Sequence, residues 1–324
     1  VSDSVKLSPR VVMAFVCVYL FWGSTYLAIR FGVQVLSPFV IGSVRFLIAG
    51  PLMLGVCAAR GMRIRQTPRE FALLALIGLL ILGFGNTGVM WAEKYLDSGL
   101  AALLVAVIPL YVALLEVFLP GGEGLRVKGW VGIGIGFAGL IVVLSPGLRE
   151  GLHGGSGQLV GSLVAVAAAF SWTCGSVLSR RAKHSAGPFV AAAWQMLFAG
   201  MFNFMAVLGI EGRRGVTGIH LTHAQGMQGF WSVLWLVVFG SVVGYSAYIY
   251  LLAHVPVAKV STYAYVNPIV AVVLGAIFLG ERMVPVEYLG MAAILIAVYL
   301  VTSSKLRSGT PVAELECNEV EAQG

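Results

Sequence analysis

Trp22-Gly-Ser-Thr-Tyr-Leu-Ala-Ile-Arg-Phe-Gly-Val-Gln-Val-Leu-Ser-Pro-Phe-Val-Ile-Gly-Ser-Val-Arg-Phe-Leu-Ile-Ala-Gly50 lies without a gap over Trp172-Thr-Cys-Gly-Ser-Val-Leu-Ser-Arg-Arg-Ala-Lys-His-Ser-Ala-Gly-Pro-Phe-Val-Ala-Ala-Ala-Trp-Gln-Met-Leu-Phe-Ala-Gly200, at an offset of 150 residues. Eight of the 29 positions are identical: Trp22/Trp172, Arg30/Arg180, Pro38/Pro188, Phe39/Phe189, Val40/Val190, Leu47/Leu197, Ala49/Ala199 and Gly50/Gly200. Composition alone would give about three. The chain therefore contains two copies of one unit. In a hydrophobic protein this points to transport, because many secondary transporters place their site between two repeats.

The class follows from what surrounds the repeat. Hydrophobic residues make up 59% of the 324, charged residues 11%, and the mean hydropathy is +0.92. A soluble domain carries roughly 25% charged residues, so this is an integral membrane protein, with the lipid bilayer as its first partner. The net charge of +7 does not call for nucleic acid, since membrane proteins concentrate Lys and Arg in cytoplasmic loops. Cys17, Cys57, Cys174 and Cys317 are scattered without metal or disulfide spacing. No metal or cofactor is expected.

A membrane-spanning helix needs about 20 mostly apolar residues. Ten segments qualify: Val11–Ile29, Pro38–Ala58, Glu70–Trp91, Ser98–Leu119, Val127–Ser145, Gly157–Leu178, Pro188–Gly209, Phe230–Leu252, Ala258–Leu279 and Val286–Thr302. The first lacks a cleavage site and contains Trp22, so it reads as a retained span. With the N-terminus inside, 14 Lys and Arg fall on the cytoplasmic side and six on the other, Arg45 lying within a span. That asymmetry places both termini in the cytoplasm. Five spans per copy, an odd number, turn the second copy upside down relative to the first. The expected organisation is a cytoplasmic segment 1–10, a first repeat 11–146, a second repeat 157–302 and a disordered acidic cytoplasmic tail 303–324. Trp22 and Trp172 should then face each other across the midplane.

The later part of each copy carries a family resemblance. Ser98-Gly-Leu-Ala-Ala-Leu-Leu-Val-Ala-Val-Ile-Pro-Leu-Tyr-Val-Ala-Leu-Leu115 in the first copy corresponds to Ala258-Lys-Val-Ser-Thr-Tyr-Ala-Tyr-Val-Asn-Pro-Ile-Val-Ala-Val-Val-Leu274 in the second, followed by Phe278-Leu-Gly-Glu-Arg282. With Trp22-Gly-Ser-Thr25, these runs resemble the EamA family of the drug/metabolite transporter superfamily. Trp91-Ala-Glu-Lys-Tyr95 is similar to its YedA-like exporter branch. The resemblance covers Val11 to Thr302, and Leu119-Pro-Gly-Gly-Glu-Gly124 departs from the Gly-Glu turn expected of the first copy. It implies an all-α bundle of ten transmembrane helices, two inverted five-helix repeats, exporting small metabolites or drugs across a bacterial inner membrane. It also implies a central cavity lined by spans 1, 3, 4, 6, 8 and 9.

Site candidates follow from polarity at depth. Trp22, Ser24, Thr25, Asn86, Trp91, Tyr111, Trp172, Tyr245, Tyr248, Tyr263 and Asn267 are expected to bind substrate. Aromatics offer flat apolar faces with a polar edge, although Trp and Tyr also anchor membrane interfaces. A buried amide needs a partner, which favours Asn86 and Asn267. Pro109 and Pro268 are expected hinges, since a proline removes a helical hydrogen bond; a plain packing kink is the alternative. Arg45, Glu93 and Glu116 are the charge or coupling candidates, because charge within the membrane is costly. Arg45, against Gln195 in the repeat, is expected to pair with Glu93. Gly129, Gly132, Gly134, Gly136 and Gly139 suit close packing, either with another helix of the bundle or in a dimer. No His, Asp or Ser/His constellation suggests an enzyme. The Gly-x-Gly run of span 5 is no nucleotide fingerprint, because no strand precedes it. Among carriers, amino acids or drug-like metabolites lead. A sugar or nucleotide sugar is second, and a channel or receptor third.

Overall fold

A computed structural model of the chain describes residues 8–120, 124–152, 157–182, 184–212, 222–255, 260 and 262–305. Those residues are helices and connections, without a strand. Among the described residues nine helices are long and apolar enough to cross a membrane: α1 (Pro9–Val33), α2 (Pro38–Ala59), α3 (Pro68–Ala92), α4 (Ser98–Phe118), α5 (Val127–Gly151), α6 (Gly157–Arg181), α7 (Pro188–Ile210), α8 (His223–Tyr248) and α10 (Pro285–Ser304). The tenth, α9, is the shorter apolar helix Tyr263–Leu279. The expected spans are all present.

Local chemistry sets the starts. α1, α2 and α3 each begin with proline in the first turn behind Ser8, Ser37 or Thr67, whose hydroxyl accepts a backbone N–H. A proline there loses no intrahelical bond and its φ suits the helix. Thr222 and Gln225 form a capping box, which starts α8 at His223, seven residues before the expected Phe230. α9 stops at Gly280, whose φ of +65° is the left-handed conformation that favours glycine. α10 runs through Ser303, expected in the tail. Residues 306–324 of that tail and the Gly-Glu position of the first copy lie outside the described residues.

The matched positions pack the two copies together. A Cβ on Gly50 of α2 would sit 2.9 Å from the Leu197 nitrogen of α7, and one on Gly200 2.8 Å from the Leu47 nitrogen. Both pairs are repeat twins, so the contact is reciprocal, as an axis between the copies requires. α5 and α10 make the second close pair. A Cβ on Gly139 or Gly290 would meet the other's carbonyl, at 3.1 and 2.9 Å, and Gly132 faces Ala297 and Leu300. Gly134 alone of the α5 set meets nothing. The glycine stripe thus serves a helix pair inside the bundle. The outer surface is apolar: Val44, Ile48, Leu52 and Val56, spaced by four on α2, are 40–51% exposed. That stripe is what a bilayer would cover.

Five helices among the described residues are interrupted, one of them α7, by a π turn at Val207–Glu211. Eight residues of π-helix occur in α3 (Leu79–Asn86) and eight in α8 (Leu236–Val243), each with a glycine, Gly83 or Gly240, at the fifth position. A shorter π turn, Val18–Trp22, lies in α1. π segments are rare and concentrate at functional sites. In α4 the helix breaks at Ala106–Val107 and resumes as Ile108–Phe118.

Candidate functional site

α1, α4 and α9 meet at a cavity. Tyr26 of α1, Ala102 and Pro109 of α4, and Tyr263, Asn267 and Pro268 of α9 line it, and its volume is about 50 Å³. A ligand pocket holds roughly 300–1,000 Å³, so the cavity is smaller than a drug-sized ligand needs. The expected contributions from spans 3, 6 and 8 are not among its walls. Asn267 is 8% exposed, and its Oδ1 accepts no hydrogen bond. A buried polar atom left unpaired costs about 1–3 kcal/mol. A solute carrying an N–H or O–H donor would relieve that cost.

The prolines sit differently. Pro109 opens the helix that follows the α4 break, where its missing N–H costs nothing. Pro268 lies inside α9. Beside it stands an aromatic group: the Trp22 ring centroid is 5.1 Å from Tyr248 and 5.3 Å from Tyr263, and Tyr245 is 6.2 Å from Tyr248. Trp22 Nε1 donates to the Gly240 carbonyl of α8 at 3.2 Å.

Arg45 is not the partner of Glu93. Its Nε donates to Ser241 Oγ at 2.9 Å and its Nη1 to Asn86 Oδ1 at 3.1 Å, so it joins the π segments of α3 and α8. Among the described residues no carboxylate lies within ion-pair distance of it. The reason is geometric: Glu93 lies beyond α3, at the end of the bundle where α1 and α9 meet.

That end is an ionic cluster. Arg30 Nη2 lies 3.6 Å from Asp97 Oδ1, and Arg30 Nε 3.6 Å from Glu281 Oε1. Arg30 also donates to the Glu93 carbonyl. Glu281 Oε2 accepts from Ser98 N at 3.0 Å and from Ser98 Oγ at 2.6 Å. Glu93 is fully buried, and neither carboxyl oxygen has a hydrogen-bond partner. Burial, then the Glu281 carboxylate, pushes Glu93 well above the usual carboxylate range, against the pull of Arg30. Asp97 is raised by the same causes in the same order. The repeat twin of Arg30 holds the other end: Arg180 Nη2 lies 2.6 Å from Glu116 Oε1, and Arg181 Nη2 2.7 Å from Glu116 Oε2. A wider recess of about 450 Å³, lined by Asp97, Glu150, Gln158, Arg282 and Glu287, opens beside the Arg30 cluster and lies away from Asn267.

Other expected site residues are placed elsewhere. Tyr111 is buried between Phe137 and Phe170 in the apolar core. Trp91 packs on Tyr95 at the end of α3. Ser24 Oγ donates to the Phe21 carbonyl and accepts from Trp235 Nε1, and Thr25 donates to the Trp22 carbonyl. Trp22 and Trp172 share no ring contact among the described residues. Instead each packs on a glycine of the opposite copy, Trp22 on Gly244 and Trp172 on Gly85. Sequence reasoning missed Tyr26, Arg30, Asp97, Ser241 and Glu281 as site residues. For Arg30 a signal existed, because it is one of the few identities of the repeat.

Comparison with known proteins agrees with this layout. The sequence profile of the EamA-like transporter family matches residues 9–145 and again 159–303. The chain is 38% identical over 293 residues to the uncharacterized inner membrane transporter YedA of Escherichia coli K12, spanning 90% of each. It is 26% identical over 295 residues to a probable amino-acid metabolite efflux pump of the same organism, spanning 87% of this chain and 91% of the other. A crystal structure of a protein 22% identical to it superposes with a TM-score of 0.62, over 92% of this chain and 99% of that one. That last likeness speaks for the fold alone.

Proposed function

This chain belongs to the EamA-like transporter family, and we propose that it exports small metabolites, amino acids or related compounds, by alternating access around the Asn267 cavity. The observation that carries the proposal is the unpaired Asn267 Oδ1 in a cavity between α1, α4 and α9. A repeat-matched arginine, Arg30 or Arg180, ion-pairs at each end of the bundle. Two ends locked by twin residues around a central site are what alternating access requires. Tyr26, Tyr263, Trp22 and Tyr248 would receive the apolar part of the solute, and Asn267 its donor. The efflux pump among the relatives supports amino acids as the first class to test.

The balance of basic residues places both termini in the cytoplasm, so the Arg30 end faces outward and the Arg180 end inward. The inner-membrane relative supports a place in the inner membrane. Pro109 and Pro268 act as hinges where α4 and α9 border the cavity. A nucleotide sugar fits less well, because Arg45, buried within α2, is held by Asn86 and Ser241.

The test is counterflow in proteoliposomes, with a panel of radiolabelled amino acids. The account expects saturable counterflow of at least one of them. Asn267→Ala should reduce it at least tenfold without lowering the melting temperature. Flux that does not saturate indicates a channel, and an unaffected Asn267→Ala removes the site. Normal counterflow by both Pro109→Ala and Pro268→Ala removes the hinges.

A further inference from the structure

Glu93 is the least satisfied polar group among the described residues. It is fully buried, and both carboxyl oxygens lack a partner. An ionised carboxylate accepts several hydrogen bonds, and burying one unpaired costs far more than neutralising it. The neighbours make ionisation harder. From α1, Arg30 and Tyr26 face it, and from beyond α9, Glu281, whose Oε1 is also without a hydrogen bond; Asp97, just before α4, pairs with Arg30, and Ser98 donates to Glu281. One guanidinium thus confronts three carboxyl groups. α6 contributes no charge here, since Gly161 packs on the Ala92 carbonyl and Leu96. On α2 the charge of Arg45 is turned away to Asn86 and Ser241. The acids do not form a set of three able to hold a metal ion. The occupant that fits an acceptor-rich, donor-poor site is a proton.

Position gives this proton a route. Tyr26 lies one helical turn before Arg30, borders the cavity and is within electrostatic reach of Glu93. Glu93 therefore lies between the solvent at the Arg30 end and the central cavity. We propose that Glu93 is the proton-carrying site of this transporter. It takes a proton from water when the Arg30 end opens and holds it while that end is closed. It yields the proton to cavity water past Tyr26 when the opposite end opens. Only an O–H bond forms and breaks. This rests on the transport reading above and adds the coupling ion to it. The sign is fixed: the closed Arg30 end is favoured below the raised titration point of Glu93, and that support is lost as pH rises through it.

Infrared spectroscopy of the reconstituted protein reads the proton directly, whether or not any solute has been found. At pH 7 the protein should show a protonated carboxyl band that Glu93→Gln abolishes while leaving the melting temperature unchanged. Tyr26→Phe should keep the band and slow its shift on transfer to D₂O several-fold. Identical carboxyl regions in the protein and Glu93→Gln would overturn the site. An unslowed shift in Tyr26→Phe would overturn the route through the cavity. Failure of counterflow with the band present would count against transport and leave the protonated site in place.

Discussion

Arg45 carries a full positive charge into a shell of neutral oxygens. Its guanidinium is 6% exposed and donates to Ser241 and Asn86. Removing it leaves the buried Ser241 and the half-buried Asn86 without this donor, at about 1–3 kcal/mol for a buried group. Arg45→Ala should therefore lower the melting temperature in detergent markedly. Arg45→Gln, which copies the repeat's Gln195, should lower it less; equal losses would mean that the hydrogen bonds do not matter. Sequence reading found Arg45 and mistook its partner. A buried cation is legible from composition, but which groups face it depends on helix rotation. Here both partners lie in π segments, whose extra residue shifts the register of α3 and α8. Asn267 was legible because it is an amide beside a proline in an apolar run. Tyr26 was not, being one tyrosine among 11.

At the scale of elements, glycine decides which helices touch. A Cβ on Gly139 of α5 would lie 3.1 Å from the Gly290 carbonyl and 2.9 Å from Ala293, while Gly134 faces open space. Overpacking of this kind costs typically 1–3 kcal/mol. Gly139→Val should cost about that much, read as a loss of melting temperature. Gly134→Ala should be neutral or stabilising by up to about 1 kcal/mol, since glycine weakens a helix interior. Equal effects would mean that α5 and α10 do not pack as described. The sequence showed the stripe, yet left open whether a second copy or a second helix covered it. The helix starts were readable where Ser or Thr preceded proline. The α8 start was misplaced because the Thr222–Gln225 box precedes the apolar run.

The whole molecule is two copies that meet through their matched residues. Gly50 and Leu197 repeat the contact of Gly200 and Leu47, and Arg30 and Arg180 each ion-pair at an end of the bundle. Three of the eight identities of the repeat, Arg30, Leu47 and Gly50 with their twins, thus join the copies or ion-pair at the ends. The unmatched residues, Asn267 and Arg45 among them, lie between. The central claim is that the two ends open in turn. Spin-label distances across each end test it: Lys94 with Arg282 at one end, Arg10 with Phe118 at the other, read by pulsed electron resonance in liposomes. Breaking one lock with Arg30→Ala should lengthen the Lys94–Arg282 distance and shorten the Arg10–Phe118 distance, and Arg180→Ala should do the reverse. Both distances lengthening together, or neither changing in either variant, would contradict the account.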